Sequence, residues 1–269
     1  MSKQRPVFDM HIHTEFSPDS STPLRAYAEV ADQLSIHIGF LDHFELAFMN
    51  RQNYLNYNSL PRLLESFDNT QSQYPDTSLG LEIDFYSDQI SSVAEFCDGH
   101  RKDFDYFIGT VHTIDGLAVT IREELEILIT RIGLAAILRR YFDEVEGAIR
   151  SGLFDGIAHI DGVMRFVPLY NEGKNLMDYW HQRTFELGKL CVDYGIPIEI
   201  NLRGLHYPWG QTHPSQLLIA QLIQEGAHFF VGSDSHKLKD FENAVPQLRK
   251  VHAYLMEQAG LELPLPLKR

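Results

Sequence analysis

Pro6-Val-Phe-Asp-Met10, followed at once by His11-Ile-His13, is the stretch that decides how this chain reads. A short apolar run rich in β-branched and aromatic residues predicts a buried strand. In a strand, residues i and i+2 project from the same face. Two imidazoles on one face, at the point where a strand runs out, can grip one metal ion. A single such pair carries little weight, because two nearby histidines are common. It gains weight here because apolar, β-rich runs elsewhere in the chain also end in His, Asp or Glu.

Seven runs read as buried strands: Val7–Met10, Ile38–Leu41, Ser78–Ile83, Tyr106–Val111, Gly156–Ile160, Ile196–Ile200 and His228–Val231. Helical patterns separate most of them. Pro23 to Leu34 has proline near its start and apolar spacing after it. Thr120-Ile-Arg-Glu123 has the form of a capping box opening a helical stretch to about Ile149, with Gly133 as a weak point. Asn175 to Tyr194 is predicted helical and stopped by Gly195, and Pro214 to Glu225 helical and stopped by Gly226. Phe241 to Ala259 reads as a last amphipathic helix. Alternating strands and helices predict an α/β fold with a parallel sheet. Seven strands at even intervals favour closure into a barrel, one domain over 1–269. Leu46 to Thr77 interrupts the alternation. It predicts a loop and one helix around Leu60–Phe67, with part of it covering the site.

In α/β barrels the reactive groups sit at the C-terminal ends of the strands. The first run ends in His11 and His13, with Asp19 following, and the second in Asp42-His43. The third ends in Glu82-Ile-Asp84, the fourth in His112, the fifth in His159, the sixth in Glu199-Ile-Asn201-Leu-Arg203 and the seventh in Asp234-Ser-His236. One buried histidine at a strand end is more often a hydrogen-bonded core residue than a ligand. Six of the thirteen histidines at strand ends form a pattern that points to a metal site. Imidazole with carboxylate suits Zn, Mn or Fe rather than Mg or Ca. The nine candidate ligands are too many for one ion, so two or three divalent ions are expected. His37, His100, His181, His228 and His252 read as structural or surface residues, the first, second, third and last in helical or connecting stretches. His206 and His213 follow the sixth run and could face substrate.

The composition is that of a globular protein, 44% hydrophobic and 22% charged, with length for a sizeable core. The formal net charge of -14 argues against a nucleic-acid partner, whose phosphates need Lys and Arg. Cys97 and Cys191 are far apart and lack CxxC spacing, which fits a reducing cytoplasm rather than a disulfide framework. No run approaches the ~18 apolar residues of a membrane span, and Met-Ser-Lys-Gln-Arg-Pro at the start does not resemble a signal peptide. A cytoplasmic protein without a membrane partner is expected. The residues leave the oligomeric state open.

Taken together, His11-x-His13, Asp42-His43, Glu82, His112, His159 and Asp234-x-His236 resemble the PHP (polymerase and histidinol phosphatase) family. Gly80-Leu-Glu-Ile-Asp-Phe85, Ile108-Gly-Thr-Val-His112, Ala158-His-Ile-Asp-Gly162, Ile198-Glu-Ile-Asn-Leu-Arg-Gly204 and Gly232-Ser-Asp-Ser-His236 are most like its histidinol-phosphate phosphatase branch. The resemblance spans about residues 7 to 237. It implies a distorted barrel of seven β/α units and a trinuclear metal centre. By position, His11, His13, Glu82 and Asp234 would hold one ion. Glu82, bridging, would hold a second with His112 and His159, and Asp19, His43 and His236 would hold a third. Many members carry His where this chain has Asp19.

The resemblance further implies a phosphoric monoester hydrolase, most similar to enzymes that convert L-histidinol phosphate to L-histidinol and phosphate in histidine biosynthesis. The expected attack is by a metal-bridging hydroxide, with Glu82 and Asp234 as catalytic ligands. Arg165 and Arg203 would clamp phosphate, which suits the planar guanidinium fork. Glu45, Asp84 and Asp161 could pair with a cationic substrate, and His206 is an option for the leaving-group acid. Three alternatives stay open: a phosphoesterase acting on a nucleotide or other small phosphate, with Tyr207 and Trp209 stacking on a base; a non-catalytic metal-binding module; and an amide hydrolase.

Overall fold

The computed structural model describes residues 7–46 and 54–259. In chain order the elements are β1 Val7–Ile12, α1 Leu24–Leu34, β2 Ile36–Phe44, α2 Leu60–Gln71, β3 Thr77–Asp84, α3 Ile90–His100, β4 Tyr106–Thr110, β5 Thr113–Ile114 and β6 Leu117–Ala118. They continue with α4 Arg122–Ile132, α5 Leu134–Ser151, β7 Gly156–Ile157, α6 Asn171–Asn175, α7 Met177–Tyr194, β8 Ile198–Asn201, α8 Gln216–Gln224, β9 Phe229–Gly232 and α9 Leu238–Ala259. One seven-stranded sheet has the order β1-β2-β3-β4-β7-β8-β9, and β5-β6 is a separate hairpin. A parallel bridge from Ile12 to Ser235 joins the first strand to the residues after the last. The sheet is therefore a nearly closed α/β barrel. All seven predicted strands exist, each with bounds displaced by a few residues.

The chain divides into two compact units, one formed by Met1–Ile83, Glu95–Ile108 and Phe230–Arg269 and the other by Asp84–Ala94 and Gly109–Phe229. In the first, β1 and β3 are buried along their whole length. That pattern marks strands covered on both faces, where apolar residues occupy both the odd and the even positions. β2 pairs in parallel with β1 and with β3, and the second pairing sets His43 directly opposite Glu82. The amide of Asp234 donates to the carbonyl of His11, and the amide of His13 to the carbonyl of Ser235. Tyr106 lies across the strands here: a Cβ on Gly39 or Gly80 would fall within 2.0 or 2.3 Å of its side chain, so these two positions must be glycine. α1 packs Leu24, Tyr27, Ala28 and Ala31 inward, the spacing of one helical face.

In the second unit, β7 and β8 pair at Ile157–Ile198, Ala158 donates to Gly109 and Ile198 to His228. The helical stretch after Thr120 breaks at Gly133, whose φ of 79° ends α4 and starts α5. α5 buries Ile137, Leu138, Tyr141, Phe142, Val145 and Ile149 on one face.

Several expectations need correction. Ile121, not Thr120, caps α4, with no side-chain cap bond; Glu124 reaches back instead to the amide of Ala118. Pro214 does not start a helix: it follows a cis peptide bond, and Ser215 caps α8 through the amide of Leu218. α3 and the short α6 were not foreseen, and His37 lies in β2 rather than in a connection. The helix expected at Leu60–Phe67 runs on to Gln71. The part of the proposed cover over 47–53 lies outside the described residues. Among the described residues no helix is long and apolar enough to cross a membrane. Cys97 and Cys191 are both buried and are not joined in a disulfide.

Candidate metal centre

In the first unit, β1 delivers His11 and His13 to one spot, as the i, i+2 spacing requires. Their Nε2 atoms are 2.9 Å apart. His13 Nε2 lies 3.4 Å from Asp234 Oδ1 and 3.7 Å from Glu82 Oε2, and His11 Nε2 lies 3.5 Å from the same Glu82 oxygen. Asp234 reaches this point from a left-handed backbone, φ 55°. For a non-glycine residue that conformation costs on the order of 1–3 kcal/mol and is found where function holds it in place. The register that sets His43 beside Glu82 gives an Nδ1–Oε2 distance of 2.9 Å. On the other side of His43, Asp19 Oδ2 is 3.7 Å from Nε2 and 2.8 Å from Nε2 of His236. The rings of His43 and His236 lie 4.3 and 4.0 Å from that of His13.

Two ligand groups follow directly: His11, His13 and Asp234, and His13, Asp19, His43 and His236. Within each group, one donor atom per residue lies within 4.8 Å of all the others. Only Asp19 is exposed. Burial and the neighbouring histidines push His13 well below the usual imidazole range, so it is neutral at neutral pH. Burial also disfavours a charged His43, but the Glu82 and Asp19 carboxylates outweigh it and raise that group well above its ordinary value. Burial would raise Asp19; His236 and His43 prevail and hold it far below the carboxylate range. A neutral His13 aims a nitrogen at two carboxylates and a second imidazole. Such a set of converging acceptors fits a divalent cation, and its N/O chemistry suits Zn, Mn or Fe.

Behind these ligands is a buried frame of which the sequence reading singled out only Asp42. Asp42 accepts from the Thr14 amide and hydroxyl, both at 2.6 Å, and from the Ser17 hydroxyl at 2.8 Å. Ser20 donates to the carbonyl of His236 at 2.9 Å. Asp9 Oδ1 accepts from the amides of Ser233 and His11, and burial pushes its carboxyl up to about 7. Asp9 had a legible signal, since it lies two residues before His11 on the same face. Ser17 and Thr14 had none, because a serine in a loop has no period.

The second unit holds the other named residues. The two oxygens of buried Asp84 face the amide of His112 at 2.7 Å and its Nδ1 at 3.3 Å. Glu199 accepts from the amide of His159, and the rings of His112 and His159 are 5.1 Å apart. Asp161 takes Trp180 Nε1 at 2.9 Å and His213 Nδ1 at 2.8 Å. The Asp84 and Asp161 carboxylates are both buried and accept from these neighbouring groups. Glu45 is buried and His206 exposed. Arg165 lies over the Tyr207 ring at 4.4 Å and Arg203 at 6.0 Å, so both guanidinium groups share one aromatic platform. Trp209 does not offer a stacking face. It is buried edge-on to Trp180, parallel to His213, and donates to the carbonyl of Thr212.

Comparison with known proteins places these residues in a family. A Deinococcus radiodurans protein named "Probable histidinol-phosphatase" is 27% identical over 252 residues, 90% of this chain and 93% of the relative. A Clostridium acetobutylicum protein of the same name is 24% identical over 236 residues, 86% of each chain. The crystal structure of a candidate histidinol phosphatase from Listeria monocytogenes superposes with a TM-score of 0.81 at 18% identity, covering 89% of this chain and 99% of its own. The Lactococcus lactis histidinol phosphate phosphatase, solved with Zn, L-histidinol and phosphate, gives 0.67 at 20% identity, covering 91% and 94%. At these identities the two structures establish the fold, the nearly closed barrel described above. The PHP domain pattern matches residues 9–203, well over half of the sequence, and the chain belongs to the PHP domain family.

Proposed function

We propose that this protein is a metal-dependent phosphatase acting on a small phosphate monoester, L-histidinol phosphate, and releasing L-histidinol and phosphate. The observation that carries the reading is the buried set of converging acceptors at His11, His13, Glu82 and Asp234. Family membership and the relatives' shared name support the substrate, as do the ligands of the Lactococcus lactis structure. His11, His13, Glu82 and Asp234 would hold one ion, and Asp19, His43 and His236 another. Following the family resemblance, Glu82 would also serve a third with His112 and His159. When bound, such ions lower the pKa of water toward ~7 and neutralise phosphoryl charge.

The chain's own groups do the rest. Glu82 and Asp234 fix the charge and spacing of the centre. Arg165 and Arg203, held on Tyr207, donate paired hydrogen bonds to phosphoryl oxygens and align the ester. The exposed His206 is available to the departing alcohol, and the buried Glu45 supplies a negative charge for a cationic leaving group. The test is phosphate release from histidinol phosphate by metal-free protein supplied in turn with Mn, Zn and Fe, beside a panel of 3′,5′-nucleotides and sugar phosphates. Metal-dependent release from histidinol phosphate above the panel is expected. Turnover of a nucleotide instead would replace the substrate assignment, and no turnover by metal-loaded protein would sink the phosphatase reading.

A further inference from the structure

The loop after β1 does more than carry Asp19 to the metal centre. Three polar groups meet at the hydroxyl of Ser17, which is 3% exposed. It donates to Asp42 Oδ1 at 2.8 Å, accepts from the amide of His43 at 3.1 Å, and lies 3.0 Å from Nδ1 of His13. A serine hydroxyl has one proton and two lone pairs. Its proton goes to the Asp42 carboxylate and one lone pair takes the His43 amide. Only an acceptor site is left for His13, so Nδ1 of His13 must be the donor. A neutral imidazole carrying its proton on Nδ1 has a bare lone pair on Nε2. That nitrogen faces His11, Asp234 and Glu82.

We infer that Ser17 is a positioning residue: held by Asp42, it fixes His13 as the Nδ1–H tautomer, so that Nε2 is ready to ligate an ion before any ion arrives. The inference rests on the metal reading above and is independent of the substrate. The same hydroxyl holds the amide of His43, so one small side chain sets a ring in one ligand group and the backbone of a residue in the next. Outer partners of this kind typically alter metal affinity by about 10–100-fold.

The experiment compares wild type, Ser17→Ala and Ser17→Thr, each stripped of metal. The His13 tautomer is read by long-range proton–nitrogen NMR correlations on histidine-labelled protein, and zinc affinity by competition with a chromophoric chelator. In wild type, Nδ1 should be the protonated nitrogen of His13. Ser17→Ala should show proton density shifted to Nε2 and an affinity about 10-fold or more weaker, while Ser17→Thr, which keeps the hydroxyl, should restore both. Melting curves of the apo proteins identify a variant that has lost its fold, and Ser17→Thr then carries the comparison through the wild-type tautomer. If Ser17→Ala binds zinc like wild type with the His13 tautomer unchanged, or if wild-type His13 carries its proton on Nε2, the inference is overturned. If wild type takes up no divalent ion at all, the metal reading falls, and this inference with it.

Discussion

The polar groups of the two compact units are satisfied in opposite ways. In the first, His11, His13, Asp234 and Glu82 turn ring nitrogens and carboxylate oxygens toward one another, an arrangement that offers ligand atoms to a cation. In the second, donors meet acceptors without help: Asp84 with His112, Glu199 with the His159 amide, Asp161 with His213 and Trp180. The first arrangement, on the metal reading proposed above, is completed by a cation. The second is stable as it stands and presents two arginines on an aromatic ring. Buried polar groups are kept either by mutual pairing or by a ligand, and one chain uses each device in a different place.

The contrast can be broken by removing groups on either side. The largest effect is expected from Glu82→Ala. It should reduce metal content by two ions at once on elemental analysis, if Glu82 bridges, and lower kcat about 10²–10³-fold, the scale set by removing one group that stabilises charge in the transition state. Retention of a full complement of ions would contradict the bridging role. Arg203→Ala and Arg165→Ala should each cut kcat/KM by about 10–10²-fold, the worth of a hydrogen bond to a charged group, and leave metal content intact. Loss of metal in either would place the arginine with the first device rather than the second. Asp84→Asn keeps the shape but weakens the acceptor for His112, so affinity at one ion should fall within the about 10–100-fold range of outer-shell changes. Isothermal titration would show it as a single weakened site.

The smallest effect lies away from the site. Buried His252 contacts the amide and carbonyl of Phe8 through Nε2, and burial lowers its pKa. Its folded value is below the unfolded one, so the folded state binds fewer protons on descending from pH ~6.5. Its contribution to stability is present above the unfolded value and is lost as pH falls below it. His252→Gln should flatten the acid side of a stability–pH curve measured by urea unfolding; an unchanged slope would mean that another group titrates there.

Much of this contrast was visible in the sequence, but unequally. The strands were legible because β1 and β3 are buried throughout, rich in apolar residues, and place their strand-end polar residues two apart, Asp9 and His11 in one and Glu82 and Asp84 in the other. The residues that meet at the candidate metal centre were legible because metal chemistry restricts residue type and strand geometry restricts spacing, as at His11 and His13. Asp84 and Asp161 look like free acids in the sequence. Their partners, the His112 amide and His213 and Trp180, are set by tertiary structure. Trp209 failed for the same reason: an aromatic residue in a loop carries no mark that distinguishes a stacking surface from core. The absent cap at Thr120 shows that a capping pattern does not fix where a helix starts: the N-cap is Ile121, one residue later, and it is Glu124 rather than Glu123 that reaches back, to the Ala118 amide.

The joining of the first strand to the residues after the last has a consequence in time. Asp9 and Ser233, 224 positions apart, share a hydrogen bond, and the amide of Asp234 closes onto the carbonyl of His11. Contacts this distant in sequence form late, because the loop they close must first be ordered. During synthesis His11 and His13 leave the ribosome long before Asp234 exists. The nascent chain therefore has two early histidines and no complete binding site. On the metal reading proposed above, a site that needs both His11 and Asp234 is complete only after the last strand has docked.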